Sequence, residues 1–131
     1  MSILFSMLAY LKTCAAVTDL VGTKIYPVRY PQGALENKPF VTYQLIDEPT
    51  ANTFDGQTTY KARVQVDAWG GTYKSAHEVA DALHAALHGY RGSWSPFVIG
   101  NVFRKRKQDF PEPDVELERV SQDFMISYSE E

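Results

Sequence analysis

From Tyr60 to Trp69 the chain alternates with a period of two. Ala62, Val64, Val66 and Ala68 fall on one side, and Lys61, Arg63, Gln65 and Asp67 on the other. Successive side chains of a strand point to opposite faces, so the segment predicts a strand with one dry and one wet face. Antiparallel sheets commonly present such a half-covered surface, whereas parallel sheets are buried on both sides. The rest of the chain must therefore cover one side of a sheet.

Two helical segments are suited to that task. Ile3, Leu4, Met7, Leu8 and Leu11 recur at three- and four-residue spacing and share one face, with Ser2 placed to cap the first turn. Residues 15–21 either continue this helix or form a second short turn, ending at Gly22. After Gly70-Gly71, Thr72 can cap a helix running to about Tyr90, whose apolar face is Ala76, Val79, Ala80, Leu83, Leu87 and Tyr90.

Further strands are legible on either side. Lys24 to Pro27 reads as a short extended piece, followed by a loop rich in Pro, Gly and Asn up to Pro39. Phe40 to Ile46 is β-branched and aromatic, with Val41, Tyr43 and Leu45 on one face. Asp47 to Thr59 reads as a long loop containing the turn pair Asp55-Gly56; loops of such length tend to carry function. Phe97 to about Lys107 and Glu116 to Tyr128 read as the last two strands, joined through Pro111-Glu112-Pro113-Asp114. In the final strand Val120, Phe124, Ile126 and Tyr128 share a face, with Gln122 its polar exception. The order α-β-β-α-β-β, without repeated βαβ units, implies an α+β fold. It would be an antiparallel sheet of about four strands packed against two main helices, in one domain spanning residues 1–131.

Composition bounds the function. Apolar residues make up 44% of the chain and charged ones 22%, which is globular and not disordered composition. A net charge of -3 argues against a dedicated nucleic-acid binder, which normally carries a basic excess. Cys14 is the only cysteine, so no intrachain disulfide is expected and nothing requires an oxidising compartment. The apolar start lacks a basic region and is interrupted by Lys12, unlike a secretion signal. No stretch approaches the roughly 18 apolar residues of a membrane helix, and a reducing, aqueous compartment is expected.

Reactive constellations are weak. His77, His84 and His88 fall along one flank of the predicted helix. His84 and His88, four residues apart, could share a metal, but Ala85 stands where the zinc-protease motif has its glutamate. A polar margin facing solvent or a neighbouring subunit explains them as well. Gly70 to Ser75 opens a helix after a strand but lacks the glycine frame of a phosphate loop. Cys14 reads as a small hydrophobe. The carboxylates Glu112, Asp114, Glu116 and Glu118 sit in an exposed turn, with no pocket to shift their pKa values. No catalytic residue, metal or cofactor is expected.

Arg104-Lys105-Arg106-Lys107 is the most unusual local feature, since four consecutive cations put charge on both faces of a strand. The following acidic turn partly neutralises them if the two strands pair. Three readings fit: a solvated hairpin tip, a charge-complementary subunit contact, and DNA contact, the last weakened by the scarcity of other clustered cations. Trp69, on the polar side of its strand, and Phe54, in the long loop, read as exposed aromatics of the kind enriched at interfaces.

Several segments together carry a likeness. They are Val17-Thr18-Asp19-Leu20-Val21-Gly22-Thr23-Lys24-Ile25-Tyr26-Pro27, then Pro31-Gln32-Gly33 and Lys38-Pro39-Phe40-Val41-Thr42-Tyr43. Arg63-Val64-Gln65-Val66-Asp67-Ala68-Trp69 follows, and the chain closes with Arg119-Val120-Ser121-Gln122-Asp123-Phe124. Over nearly its whole length the sequence resembles the tail-completion family of siphophages and myophage-like prophages, whose members act as tail terminators or head-tail joining proteins. The resemblance implies an α+β subunit of the virion, made in the host cytoplasm, that forms a ring, most often sixfold, on the end of the tail tube. Such a ring stops tube growth, meets the tube protein on one side and the head connector on the other, and lets DNA pass without sequence-specific binding. The family supplies no catalytic residues to carry over. The tetrabasic stretch and the histidine flank depart from its pattern.

A ring of head-to-tail contacts uses two different patches per subunit. The expected patches are the loop around Phe54 and Asp55, and the hairpin around Arg104, Arg106 and Glu112, with Trp69 as a further contact. Two other readings belong to different classes. A small monomeric or dimeric binding module would act on nucleic acid through residues 104–107 and bind DNA in a salt-sensitive way. A metal-dependent enzyme using His84 and His88 would hold stoichiometric metal.

Overall fold

A computed structural model describes residues 3–27, 39–48, 50–52, 58–112 and 117–130. Among these residues three helices, α1 (Ile3–Leu11), α2 (Ala15–Val21) and α3 (Tyr73–Leu87), accompany seven strands. The strands are β1 (Ile25–Pro27), β2 (Phe40–Asp47), β3 (Thr50–Asn52), β4 (Thr58–Gly70), β5 (Gly92–Trp94), β6 (Phe97–Glu112) and β7 (Leu117–Glu130).

The strands form one mixed sheet in the order β1-β2-β4-β7-β6-β5, with β3 paired to the start of β4. The sheet curls as a half-barrel. β1 runs parallel to β2, and the other pairs are antiparallel. This corrects the expected antiparallel sheet of about four strands against two main helices. β1, β3 and β5 are three residues each, too short for alternation to identify a strand. The direction of β1 is set by its pairing, which local sequence does not encode. Residues 12–14 also split the first helical segment in two, with an 82° bend between α1 and α2. Thr13 Oγ1 donates to the Tyr10 carbonyl at 2.6 Å there, and Gly22 closes α2 at a φ of 61° that favours glycine.

The strongest alternation in the sequence lies next to the centre of the sheet. Ala62, Val64, Val66 and Ala68 of β4 are fully buried, joined by Val120, Phe124, Ile126 and Tyr128 of β7. Helix α3 covers them with Ala76, Val79, Ala80, Leu83 and Leu87, all buried. It packs on β4, β7 and β6, and α2 packs on α3. Thr72 caps α3 by accepting from the Ser75 amide at 3.0 Å; such a cap contributes about 1 kcal/mol. Gly70 brings β4 close to the start of α3, because a Cβ there would lie 2.7 Å from the Ala76 nitrogen. Helix α1 completes the layer with Ile3, Met7 and Leu11. Tyr10 packs at a tilt against Tyr90, stacks on Trp94 and donates to the Ala86 carbonyl at 2.6 Å, tying α1 to the end of α3 and to β5.

Strand β6 runs on through Pro111 to Glu112, five residues past its expected end. Beyond Ile99 it has no strand partner on its outer side among the described residues, and proline is tolerated on such an edge. Helix α3 stops at Leu87, short of the expected Tyr90, with His88 as its C-cap. The Ser2 cap, most of the loop before Pro39, the Asp55-Gly56 turn and Pro113-Asp114 lie outside the described residues.

Candidate interaction face

Among the described residues no helix lies on the opposite face of the sheet, which the side chains of β1, β2, β4, β7 and β6 build. Residues paired across an antiparallel ladder share a face, so the register gives its rows directly. Phe40 pairs with Trp69, Trp69 with Arg119 and Arg119 with Phe110. The side chains make one stacked row: Tyr26 lies 6.1 Å from Phe40, Phe40 stacks on Trp69 at 5.6 Å, and Arg119 sits over Trp69 at 5.1 Å and over Phe110 at 4.7 Å. Leu117 packs beside Phe40 and Trp69. A cation over an aromatic ring is attracted by the negative ring face, so the row is held by electrostatics as well as contact.

Trp69 is therefore corrected. It stands on the polar side of β4, as its parity requires, but is only 8% exposed and donates through Nε1 to Thr42 Oγ1 at 2.9 Å. Neighbours from β2 and β7 cover it, and sequence separation hid them.

The next rows are charged. Arg63 pairs with Asp123 at 2.7 Å, Arg119 reaches Asp67 at 3.5 Å, and Gln65 donates to both Asp67 oxygens at 3.0 and 3.1 Å. Burial pushes the Asp67 carboxyl above the ordinary carboxylate range, against the opposing pull of its bonds to Ser121 and Gln65 and of Arg119. Asp123 raises the Arg63 pKa by hydrogen bond and charge. Arg63, Arg106 and Arg119 line a cavity of about 220 Å³ with Ile46, Phe110 and Asp123. Ile46, Val98 and Phe103 leave 40%, 44% and 45% of their surface exposed.

The basic stretch is divided by a bulge. Arg104 pairs with Phe124 and Arg106 with Asp123, so the register slips at Lys105. A bulge inserts one residue and reverses the parity that follows. Arg104 thus lies on the helix-covered side, donating to Gln122 Oε1 at 3.1 Å, while Gln122 donates to the Ala80 carbonyl at 3.0 Å. Arg106 lies on the open face. Lys107 returns to the helix side, 3.7 Å from Asp81. The expected grouping of Arg104 with Arg106 in one patch is corrected accordingly. The partners seen for these cations come from α3 and β7. Glu112 ends β6 opposite Leu117, but its side chain lies outside the described residues, as do Phe54 and Asp55.

The histidines are absorbed by the contact between α3 and β6. His77 Nε2 lies 2.9 Å from Asp109, His88 Nδ1 accepts from the Arg104 amide at 3.0 Å, and His84 stacks on His88 at 4.7 Å. Burial, then the charges of Arg104 and His88, lower the His84 pKa. Among the described residues no three His, Cys, Asp or Glu side chains are grouped to hold a metal. Cys14 is half-buried at the start of α2, its thiol 3.4 Å from the Tyr10 carbonyl.

A family model described as Tail completion protein gp17 matches residues 6–129. The chain belongs to the tail-completion family. This membership makes it a protein of the virion tail. A chain from the solved virion of a native gene transfer agent particle superposes with a TM-score of 0.75 over 98% of each chain, at 18% identity. That likeness shows a shared fold. No curated protein matches the sequence. For this family member the residues that sequence reading missed are Arg119 and Asp123, together with the pairing of Arg63. The alternation put Arg63 and Asp67 on the open face, but only the β4–β7 register reveals what they meet.

Proposed function

We propose that the protein is a structural, non-enzymatic subunit that forms a ring at the head-proximal end of the tail. The ring, a hexamer in this reading, ends tube growth and joins tail to head. Its partners are further copies of itself, the tail tube protein and the head connector, and DNA passes through without base-specific contact. The family match over residues 6–129 carries this reading. The open face supports it, because exposed apolar side chains beside charges are what a protein interface uses.

Negative-stain microscopy of the purified protein, alone and with assembled tail tubes, tests the proposal, with mass by light scattering. Rings in solution or a cap on one tube end are expected. A protein that leaves both tube ends bare and tube length unchanged overturns it. The competing nucleic-acid reading loses support, since Arg104 is bonded to Gln122 and Lys107 is paired with Asp81.

A further inference from the structure

We propose that copies of the chain join edge to edge, residues 105–110 of β6 in one copy pairing with the end of β2 in the next. The inference rests on the ring reading above and names the two surfaces that meet. On β6 the outer backbone is engaged up to Arg104. β5 pairs with Phe97 to Ile99, the Val102 carbonyl accepts from the Gly89 amide at 2.7 Å, and the Arg104 amide donates to His88. Pro111 has no N–H to offer. Residues 105–110 lie between these limits, with no strand on their outer side among the described residues. At the other side of the sheet β1 pairs with β2 from Val41 to Tyr43. Residues 44–47 are likewise without an outer strand among the described residues.

Both stretches carry a bulge, at Ile46 and at Lys105, and both carry charge. These are the devices by which sheets deter indiscriminate pairing at an edge. Here the charges differ in sign. On β6 the four cations Arg104 to Lys107 outnumber the two carboxylates beside them, Asp81 at 3.7 Å from Lys107 and Asp109, which is held by Tyr73 and His77. At the other edge Asp47 and Glu48 end β2, and with Asp123 they outnumber Lys61 and Arg63, the two cations of β4. Glu48 accepts from the Tyr128 hydroxyl, which takes no charge from it. Two β6 edges therefore repel each other, as do two β2 edges, whereas β6 and β2 attract. That selects head-to-tail over two-fold pairing.

Strand direction agrees. β2, β4, β7 and β6 alternate, so β2 and β6 run opposite ways. Copies related by rotation about an axis along the strands then bring β6 against β2 in antiparallel sense, as in most of the sheet. Three strand spacings of about 4.8 Å, roughly 14 Å along the sheet, separate the two edges within a subunit. They are distinct patches, as a head-to-tail contact requires. Leu45 on the helix-covered side and Ile46 on the open side are each 40% exposed. A strand added at this edge buries apolar surface on both sides as well as backbone groups.

Hydrogen exchange of the full-length protein, comparing rings with unassembled subunits, reads the backbone directly. Amides within residues 44–47 and 105–110 should slow at least about tenfold on assembly. Lys105→Glu and Asp47→Lys alter exposed side chains, and each alone should weaken ring formation at least about tenfold. Combined in one chain they should restore it, because the two edges have exchanged charge and still attract. Wild-type rings in which neither stretch gains protection overturn the edge assignment and leave the ring reading intact. Full protection already present in unassembled subunits does the same, since the chain then covers its own edges. A double variant that is folded by circular dichroism but assembles no better than the single ones also overturns it. No wild-type ring in solution or on tubes removes the ring reading and this inference together.

Discussion

Val64 and Arg63 are neighbours on β4, yet Val64 is fully buried in the helix-covered core while the Arg63 side chain is 40% exposed on the open face. The same strands build both surfaces. On the covered side, volume is what matters: apolar side chains from β4, β7 and three helices fill one continuous core. On the open side, pairs matter. Stacked rings, a cation over two of them and two ion pairs hold the surface together, with no helix over it among the described residues. A face built from pairs can stay exposed without collapsing and still offer charges to a partner. A face built from volume cannot.

Substitutions on the two sides should separate accordingly. Phe124→Ala empties a fully buried site on the covered face and is expected to cost about 3–5 kcal/mol, measured by chemical denaturation. Gln122→Leu tests the fully buried polar side chain of β7 in that layer. It removes the donor to Ala80 and the acceptor for Arg104, leaving the Ala80 carbonyl and a half-buried guanidinium short of a partner, and should cost about 1–3 kcal/mol. On the open face, Trp69→Phe keeps the stacked row but deletes the bond to Thr42, for about 1 kcal/mol. If Trp69→Phe proved as damaging as Phe124→Ala, the distinction between the faces would fail.

The smallest effect concerns pH. His84 sits in the seam between α3 and β6, where burial, Arg104 and His88 lower its pKa, Asp81 opposes them and Lys107 adds to them. An unfolded histidine takes up its proton near its ordinary value of about 6.5, before the folded one does. The stability tied to His84 is therefore complete above that value and is lost as pH falls through the lowered folded pKa. His84→Gln should flatten the acid side of a stability profile while barely changing stability at pH 8. Asp67 has the opposite sign. Its carboxyl is raised by burial, so its contribution is greatest below the unfolded carboxylate value and declines as pH rises through the folded one. Asp67→Asn should remove that decline in a denaturation series.

The local patterns translated well where one element sufficed. The face of α3, the alternation of β4 and the isolated Gln122 in β7 all follow from periodicity, because a residue's side of a helix or strand depends only on its position. The likeness to the tail-completion family was also legible, since it rests on strings of residues in order. The strand count was not. Three-residue strands gain their stability from a neighbour, and nothing in their own sequence distinguishes them from loop. The candidate face was half legible: parity gave Arg63, Asp67 and Trp69 their side of the sheet, but not their burial.

By itself, then, the sequence determined which residues point together within each element, and with that the covered face and the family. Tertiary structure alone decided what lies across from them. Register set Arg119 between Trp69 and Phe110, a single bulge at Lys105 sent Arg104 and Arg106 to opposite faces, and pairing made β1 parallel. The physical reason is that parity is a property of one strand, whereas register and bulges are properties of two. Their energies come from contacts between residues far apart in the chain.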